Sequence, residues 1–264
     1  MKRIDVAGVG IAYRVDGHPT EPPVVLLHSA GCDLRMWDLH IAALGERFSL
    51  VRADARGHGG SDAPPPPYTV DRFGADAIAV LDALQIERAH IVGESLGGLV
   101  ALWIAVHHPG RVERAVFSGT AARIGTAETW QERADAVRAG GTEAVADLVM
   151  SRFFSPAFRR DHADVVGWFT GVLRAQPAHG YEATCLALRD ADLRDEVGAI
   201  VAPSLILVGD QDEATPVSDA SWLHEMVDGS RLRTLEGAGH LCSVERRATF
   251  DEIVARFLRG EEIT

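Results

Sequence analysis

Cysteine is scarce in this sequence: the 264 residues include only Cys32, Cys185 and Cys242. An odd number of widely spaced cysteines is typical of reduced thiols rather than a disulfide framework or a zinc site, so we expect a cytoplasmic protein without bound metal. Long apolar runs are also missing, since no stretch approaches the roughly 18 residues of a membrane-spanning helix. The N-terminal stretch MKRIDVAGVG lacks the apolar core of a secretory signal. We therefore expect neither membrane insertion nor secretion.

The chain has fewer basic residues than acidic ones. The chain has 26 Lys and Arg residues against 38 Asp and Glu residues, a formal net charge of −12. Because phosphate groups are bound by basic surfaces, this balance predicts that nucleic acid is not a partner. An anionic substrate would need a locally positive pocket. Apolar residues, by contrast, make up 47% of the chain, which is enough for the core of one large domain.

Short apolar segments alternate with helical segments along most of the chain. Strands are predicted at 24–28, 48–54, 89–93, 114–120, 204–210 and 230–237, and helices at 71–86, after residue 95 to 107, and at 244–259. This alternation predicts an α/β fold with a mainly parallel central sheet flanked by helices.

One long segment breaks this alternation. Residues 121–196 form amphipathic helical patterns without a convincing strand. We therefore predict a core domain of residues 1–120 and 197–264, with residues 121–196 inserted as a helical cap. Because ligands of such sheets bind outside the carboxyl ends of the strands, the insertion is expected to act as a lid.

A serine stands between glycines where a predicted strand meets a helix, in Gly93-Glu94-Ser95-Leu96-Gly97. In this context Gly-x-Ser-x-Gly is a nucleophile elbow, a strained turn that holds the Ser95 hydroxyl above the sheet. Side chains at Gly93 and Gly97 would strike the neighbouring strand and helix. The alternative is a purely structural turn, in which the glycines bend the chain and the serine starts the helix.

A serine nucleophile needs a histidine base, and the histidine needs a carboxylate. Of the histidines after Ser95, only His240 lies on a glycine-rich loop after the last predicted strand, at the edge of the sheet where the elbow emerges. The others lie in helical segments: His107, His108, His162, His179 and His224. In the stretch LVGDQDEATP, Asp210 ends the strand and Asp212 projects toward the His240 loop. We therefore favour Asp212 over Asp210 as the acid.

An oxyanion formed at Ser95 needs two N–H donors. The Leu96 amide follows the nucleophile, and a second donor should come from the loop after the strand at 24–28. Ala30 is the candidate there, because the small residues around it let the backbone approach a substrate. His28 is expected to brace this loop rather than to take part in catalysis.

Together these stretches resemble the α/β-hydrolase superfamily from end to end, and within it most closely the 3-oxoadipate enol-lactonases. The resemblance runs through GCDLRMWD, DARGHGGSDAPPPPYT, the elbow, GDQDEATP and AGHLCSVE, and through the cap stretches GTAARIGTAETW and RDADLRDE. Two departures leave the particular lactone open. The oxyanion loop has His28-Ser29-Ala30-Gly31 where the family usually has Asn-Ser-Leu-Gly. Glu94 and Leu96 flank the serine where the family usually has an apolar residue and methionine.

The resemblance implies an α/β-hydrolase fold and hydrolysis of a small-molecule lactone or ester through an acyl-enzyme, without a cofactor. The implied substrate is 3-oxoadipate enol-lactone, and the implied role is in the catabolism of aromatic compounds. A general carboxylesterase or perhydrolase would use the same residues. A receptor that binds a small ligand in a hydrolase-like pocket is a further alternative. The sequence does not indicate an oligomeric state.

The implied substrate carries a carboxylate, which requires a cation near Ser95 in an otherwise acidic protein. Four arginines of the predicted cap could supply it: Arg123, Arg133, Arg174 and Arg189. Arg133 and Trp130 are the predicted substrate-binding residues, with Trp130 as a wall of the pocket.

Overall fold

The computed structural model describes residues 1–263 and contains one eight-stranded sheet. Its strands are β1 (Lys2–Val6), β2 (Val9–Gly17), β3 (Pro23–Leu27), β4 (Ser49–Ala53), β5 (Ala89–Glu94), β6 (Val112–Ser118), β7 (Ser204–Gly209) and β8 (Arg231–Leu235). Their spatial order is β1-β2-β4-β3-β5-β6-β7-β8, and the six strands from β3 to β8 are parallel. The structure confirms the predicted α/β class and the mainly parallel sheet.

The central strands are buried on both faces. Every residue of β5 and of β7 is buried, which is the usual condition of a parallel strand covered by helices on either side. Such strands read as continuous apolar runs, and these are the segments that the sequence identifies most clearly. The carboxyl ends of β5, β6 and β7 therefore meet along one edge of the sheet.

The sequence analysis did not predict the N-terminal hairpin. β1 and β2 pair antiparallel, and β2 pairs antiparallel with β4. The connecting turn places both Ala7 (φ 52°) and Gly8 (φ 84°) in the left-handed region. Alanine is an unusual choice there, because turns of this kind favour Asn-Gly or Asp-Gly. The turn therefore carries a weak sequence signal.

Eleven α-helices are formed within the described residues. They are α1 (Ile41–Leu44), α2 (Val70–Ala83), α3 (Leu96–His107), α4 (Ala127–Gly140), α5 (Ala146–Phe153), α6 (Pro156–Asp161), α7 (Ala163–Arg174), α8 (Ala178–Asp190), α9 (Val217–Met226), α10 (Cys242–Glu245) and α11 (Arg247–Leu258). Short 3₁₀ helices occupy Leu34–His40, Pro109–Arg111, Thr142–Val145 and Val197–Ala199. In the part of the chain that the structure describes, no helix is both long enough and apolar enough to cross a membrane.

The helices α4 to α8 lie between β6 and β7 in the chain. They fall within the segment 121–196 that is predicted as a cap, and no strand occurs between β6 and β7 among the described residues. The segment approaches the core closely at α8: a Cβ added to Gly57 would lie 3.0 Å from the Gly180 Cα. The insertion thus contacts the core at the loop that follows β4.

The predicted closing helix 244–259 is wrong in its first turn. The structure has two helices here, α10 and α11, separated at Arg246 (φ −121°, ψ 43°). The Arg246 guanidinium donates to the backbone carbonyls of Glu236 and Gly237, which favours the bent conformation. The side chains of Ser243 and Glu245 are buried, and after the break α11 packs against α1 and the 3₁₀ helix Leu34–His40.

Candidate active site

Ser95 lies in a strained turn between β5 and α3. Its backbone has φ 58° and ψ −118°, a combination that a residue with a side chain adopts only when its surroundings impose it. The Ser95 N–H donates to the Ser118 carbonyl at 2.9 Å, and the Thr120 hydroxyl donates to the Ser95 carbonyl at 2.9 Å. The end of β6 therefore holds the turn in place.

The glycines on either side of Ser95 are required by close approach. A Cβ on Gly93 would lie 2.1 Å from the Gly97 carbonyl oxygen, and one on Gly97 would lie 2.1 Å from the Leu27 carbonyl oxygen. Both positions are far inside van der Waals contact with backbone that cannot move alone. The structure confirms the predicted reason for these glycines.

We expect Gly97→Ala to lower the free energy of unfolding by about 1–3 kcal/mol, the usual scale of overpacking. The matched control is Gly167→Ala in α7, where an added Cβ meets nothing within 4 Å. That change should instead raise the free energy of unfolding by about 0.5–1 kcal/mol, because alanine favours a helix over glycine. Urea denaturation of the two variants measures both effects. Equal stability of the Gly97→Ala variant and the parent would contradict the packing argument.

The structure brings the three predicted side chains together. The His240 Nε2 lies 2.9 Å from the Ser95 Oγ, and the His240 Nδ1 lies 2.9 Å from an Asp212 carboxylate oxygen. All three residues are buried. Because a carboxylate can only accept, Nδ1 carries the proton and Nε2 is free to accept from the serine hydroxyl. This is the arrangement that a general base for Ser95 requires.

The Asp212 carboxylate is held by several donors besides His240. Its Oδ1 accepts from the backbone N–H groups of Ala214 and Thr215 at 2.8 and 2.9 Å, and its Oδ2 accepts from the Thr215 hydroxyl at 2.8 Å. Asp210, the alternative acid, is exposed at the end of β7. Of these two aspartates, Asp212 is therefore the one at hydrogen-bond distance from His240.

The charges of this pair shift both pKa values. Burial by itself would raise the pKa of Asp212, but the His240 charge and the hydrogen bonds from His240 and Thr215 outweigh it and lower that pKa. Burial by itself would lower the pKa of His240, but the Asp212 carboxylate outweighs it and raises that pKa. The site thus favours a positive charge on His240 next to a negative Asp212.

The loop after β3 leaves the Ala30 N–H group free. Neighbouring groups are paired: the Gly31 N–H donates to the His58 Nε2 at 3.0 Å, and the Ser29 carbonyl accepts from the His28 Nδ1 at 2.8 Å. The Ala30 N–H has no acceptor within residues 1–263. The Leu96 N–H is in the first turn of α3, where backbone donors lack a partner within the helix. Both predicted donors are therefore available beside Ser95.

His58 braces the same loop, and the sequence analysis missed it. Its Nδ1 donates to the Arg56 carbonyl, so its Nε2 can accept from Gly31 only while the ring is neutral. Burial lowers the pKa of His58 to about 3. The residue lies in DARGHGGSD. The sequence analysis identifies this stretch as part of the family resemblance but assigns no role to its histidine. His28 behaves as expected: it bonds to the loop and to the Ala55 N–H.

The neutral His58 predicts a loss of stability in acid. The unfolded state takes up a proton below the ordinary pKa of about 6.5, whereas the folded state resists protonation down to about 3. The contribution is fully present above about pH 6.5 and is lost as the pH falls toward 3. Between pH 7.5 and 5 it amounts to about 2 kcal/mol. Buried His90, whose pKa burial lowers to about 4, adds in the same direction.

The measurement is the free energy of unfolding in urea at pH 7.5 and at pH 5. The His58→Gln variant should lose less stability than the parent between the two values. His18→Gln, which changes an exposed histidine, is the matched control and should keep the slope of the parent. A His58→Gln variant with the full slope of the parent would show that this histidine is not held neutral.

Ser95 opens into a cavity of about 190 Å³ under the cap. The inner wall combines the Ser95–His240 pair and Ala30 with side chains of the inserted segment: Ile124, Trp130, Arg133, Val149 and Phe153. Toward the outside, Arg152 forms an ion pair with Glu213 at 3.3 Å. Three larger grooves, of about 540, 600 and 310 Å³, are lined by other residues. Among the described residues, no three His, Cys, Asp or Glu side chains converge as metal ligands would.

Of the four arginines named above, Arg133 alone lines this cavity. The other three form ion pairs elsewhere: Arg123 with Asp192, Arg174 with Glu143, and Arg189 with Asp190. Arg133 has no ion pair within the described residues, and its guanidinium lies 4.5 Å from the centre of the Trp130 ring. The Trp130 Nε1 donates to the Ile124 carbonyl at 2.6 Å, which fixes that ring. The cavity therefore contains one uncompensated positive charge.

The cap and the His240 loop are joined directly. Phe153 stacks on the His240 ring with 6.1 Å between centres, and its carbonyl accepts from the Leu241 N–H. The Glu245 carboxylate accepts from the Ser155 N–H and hydroxyl and from the Gly239 N–H, at 2.7–3.0 Å. We call residues 153–155 together with Glu245 the cap anchor. It places one end of the cap in contact with the histidine.

Comparison with known proteins agrees with this geometry. A family model described as the alpha/beta hydrolase fold matches residues 22–246, and the chain therefore belongs to the α/β-hydrolase family. Within it, the chain is 37% identical over 251 residues to 3-oxoadipate enol-lactonase 2 of Acinetobacter baylyi, covering 95% of this chain and 94% of that protein. The predicted resemblance is confirmed.

Solved structures give the same result. The enol-lactonase from Burkholderia xenovorans LB400 matches with a TM-score of 0.96 and 36% identity, over 98% of this chain and 100% of that one. A hydrolase from Pseudomonas aeruginosa PA01 matches with a TM-score of 0.94 and 39% identity, over 97% of each chain. The protein is a carboxylic ester hydrolase similar to the 3-oxoadipate enol-lactonases.

Proposed function

We propose that the protein hydrolyses the enol-lactone of 3-oxoadipate through a Ser95-His240-Asp212 triad, as a step in the catabolism of aromatic compounds. One observation carries this proposal: a hydrogen-bonded Ser95 and His240 open into a cavity whose only uncompensated charge within the described residues is the Arg133 guanidinium. The first part supplies a nucleophile for a carbonyl, and the second supplies a partner for a carboxylate.

The reaction begins with attack of the Ser95 Oγ on the lactone carbonyl. His240 takes the hydroxyl proton at Nε2, and Asp212 stabilises the imidazolium that forms. The negative charge that develops on the carbonyl oxygen is met by the Ala30 and Leu96 N–H groups. The ring C–O bond then breaks, and the leaving enol oxygen takes the proton from His240. The product of this half is an acyl-enzyme in which the opened substrate is esterified to Ser95.

Water completes the cycle. It loses a proton to the neutral His240 as its oxygen attacks the acyl carbonyl, and the same two N–H groups hold the second oxyanion. When the ester bond breaks, the proton returns from His240 to the Ser95 oxygen. The free acid leaves, and Ser95 and His240 are again in their starting states. Every proton in this scheme passes through the His240 Nε2.

The substrate carboxylate is the reason to favour this lactone over a neutral ester. An overall charge of −12 repels anions at long range, so binding requires a short-range cation. Arg133 offers a planar guanidinium, which can meet a carboxylate with two parallel hydrogen bonds. Trp130 limits the motion of that guanidinium by stacking on it.

A general carboxylesterase is the alternative that a specific observation favours. Ile124, Val149 and Phe153 give the cavity an apolar side that would also accept a neutral acyl chain. The departures from the family at Ala30 and Leu96 lie next to the reacting carbonyl. A perhydrolase or a small-ligand receptor with the same residues is distinguished by its turnover.

The test compares kcat/KM for 3-oxoadipate enol-lactone, neutral lactones of similar size and p-nitrophenyl esters. We expect the anionic lactone to be the best of these substrates. Faster hydrolysis of neutral esters throughout would favour the general carboxylesterase. Binding of the lactone without repeated turnover would favour the receptor.

The raised pKa of His240 predicts the pH dependence of the reaction. The base acts only when it is neutral, so kcat/KM should rise with pH through a single limb whose midpoint lies above about 6.5, the ordinary value for histidine. Asp212→Asn removes the charge that raises this pKa and should move the limb to lower pH. The profile is measured under conditions where chemistry limits the rate. A flat profile from pH 5 to 8 would argue against His240 as the base.

A further inference from the structure

Glu94, the residue before the nucleophile, is completely buried and faces α10. Its carboxylate accepts hydrogen bonds from the Ser243 hydroxyl, from the Ser243 N–H at 3.2 Å and from the Ser118 hydroxyl at 3.3 Å. The Cys242 thiol lies 3.8 Å from the same carboxylate. Each of these donors is neutral, and within residues 1–263 no lysine, arginine or histidine forms an ion pair with Glu94.

A buried carboxylate without a neighbouring cation lowers the stability of a protein core, because the charge loses its hydration. Neither the sheet nor the turn needs it, because an apolar side chain of the same size could fill the space next to Ser118 and Cys242. Glu94 itself ends β5, directly before Ser95, and its partners come from two further segments that build the site: the end of β6, and α10 directly after the His240 loop. The position of the donors therefore points to the histidine.

We infer that Glu94 is a positioning residue, which holds the segment after His240 against the nucleophile elbow and stabilises the imidazolium with its negative charge. The inference rests on the proposed function, because it assigns Glu94 a part in the proton transfer between Ser95 and His240. Glu94 does not touch the substrate: it acts through His240.

Glu94 positions His240 through hydrogen bonds with the segment that follows the histidine, which is the mechanical half of its role. Ser243 is three residues after His240, and both its N–H and its hydroxyl donate to the Glu94 carboxylate. The Ser118 hydroxyl lies between Glu94 and the Cys242 sulfur, 3.3 Å from each. Residues 240–243 are thereby fixed to the two strands that carry and support Ser95. A shift of His240 away from the Ser95 Oγ would have to break several of these contacts together.

The electrostatic half follows from the charges that face His240. Asp212 and Glu94 both favour the protonated ring, whereas burial and the Arg133 charge oppose it. Around Glu94 itself, burial raises the pKa of the carboxyl, and the hydrogen bonds from Ser243 and the charges of His240 and His40 offset that rise only in part. Burial raises the pKa of the Cys32 and Cys242 thiols, which also lie near Glu94, so both thiols stay neutral. A proton on His240 and a charge on Glu94 thus stabilise each other.

Glu94→Gln is the direct test, because glutamine keeps the shape and can still accept from Ser243 while it removes the charge. Without that charge the imidazolium is less stable, so the acid limb of kcat/KM should move down by up to about one pH unit and kcat should fall by up to about tenfold. KM should stay near the value of the parent. Arg133→Met, assayed with a neutral ester, is the control. It removes a positive charge that opposes protonation of His240, so it should move the acid limb of kcat/KM to higher pH.

Two further measurements keep this inference separate from the proposed function. The His240 Nδ1 proton can be followed by NMR as the pH is changed, in the parent and in Glu94→Gln, and its titration should move to lower pH even if no tested lactone is a substrate. If Glu94→Gln does not fold, Ser243→Ala tests the mechanical half and should lower kcat with little change in KM. A folded Glu94→Gln with the kcat, limb and His240 titration of the parent would overturn the inference, as would a Ser243→Ala variant with the kcat of the parent.

Discussion

Ser95→Ala and His240→Ala are each expected to lower kcat by about 10⁴-fold or more. Both changes break the short chain of hydrogen bonds that carries the proton in the proposed reaction, where each link is 2.9 Å long. The double variant should be little worse than either single variant, because the two residues act as one unit. Steady-state hydrolysis of 3-oxoadipate enol-lactone gives kcat for all three proteins.

Asp212→Asn extends this prediction to the acid. Asparagine can present its N–H₂ group to the His240 Nδ1, which would favour the wrong tautomer, so kcat should again fall by several orders of magnitude, about 10⁴-fold. Asp210→Asn is the matched control two residues away and should keep the activity of the parent. His18→Ala serves the same purpose for His240→Ala. Loss of activity in Asp210→Asn but not in Asp212→Asn would show that the acid has been assigned to the wrong residue.

Arg133→Met is expected to lower kcat/KM for the anionic lactone by about 10–150-fold, which corresponds to about 1.5–3 kcal/mol for a charged hydrogen bond. Methionine preserves much of the length and apolar contact of the side chain against Trp130 but removes the charge. A neutral p-nitrophenyl ester should lose no more than about threefold, since it has no carboxylate for the guanidinium to bind.

Arg174→Met is the control for the loss of an arginine as such. Arg174 lies on the same cap, but it is paired with Glu143 at the surface and does not line the cavity. Its removal should leave both substrates nearly unaffected. If Arg133→Met reduced the two substrates equally, the residue would support the cavity without recognising a carboxylate, and the general carboxylesterase would become the better proposal.

The fold could be predicted to the extent that its strands are buried on both faces. Segments such as β5 and β7 are continuous apolar runs between turn residues, which local sequence records directly. The hairpin of β1 and β2 was not predicted from the sequence because its strands are partly exposed and its turn uses Ala7. The break at Arg246 was not predicted either, because the side chain that favours it bonds to carbonyls about ten residues earlier in the chain.

The candidate site shows the same division. Ser95, Asp212 and His240 could be named because elbow, acid and base follow one another in a fixed order at the ends of strands. The sequence analysis names Arg133 among the four cap arginines, but the tertiary contacts are what show that it lines the cavity while the other three form ion pairs elsewhere. His58 and Glu94 act through partners that are far away in the chain, Gly31 and Ser243 respectively, so their roles required the tertiary contacts.

The cap anchor has a consequence for how new specificities can arise in this fold. Phe153 and Ser155 belong to the cap in sequence but bind the histidine loop, through the His240 ring and through Glu245. A chimaera that grafts the whole segment 121–196 from a relative would replace one half of these contacts and leave the other half unmatched. Recombination should therefore succeed when residues 153–155 and 239–245 are inherited together. Drift in substrate preference is freer along α4, where a change such as one at Arg133 leaves the anchor intact.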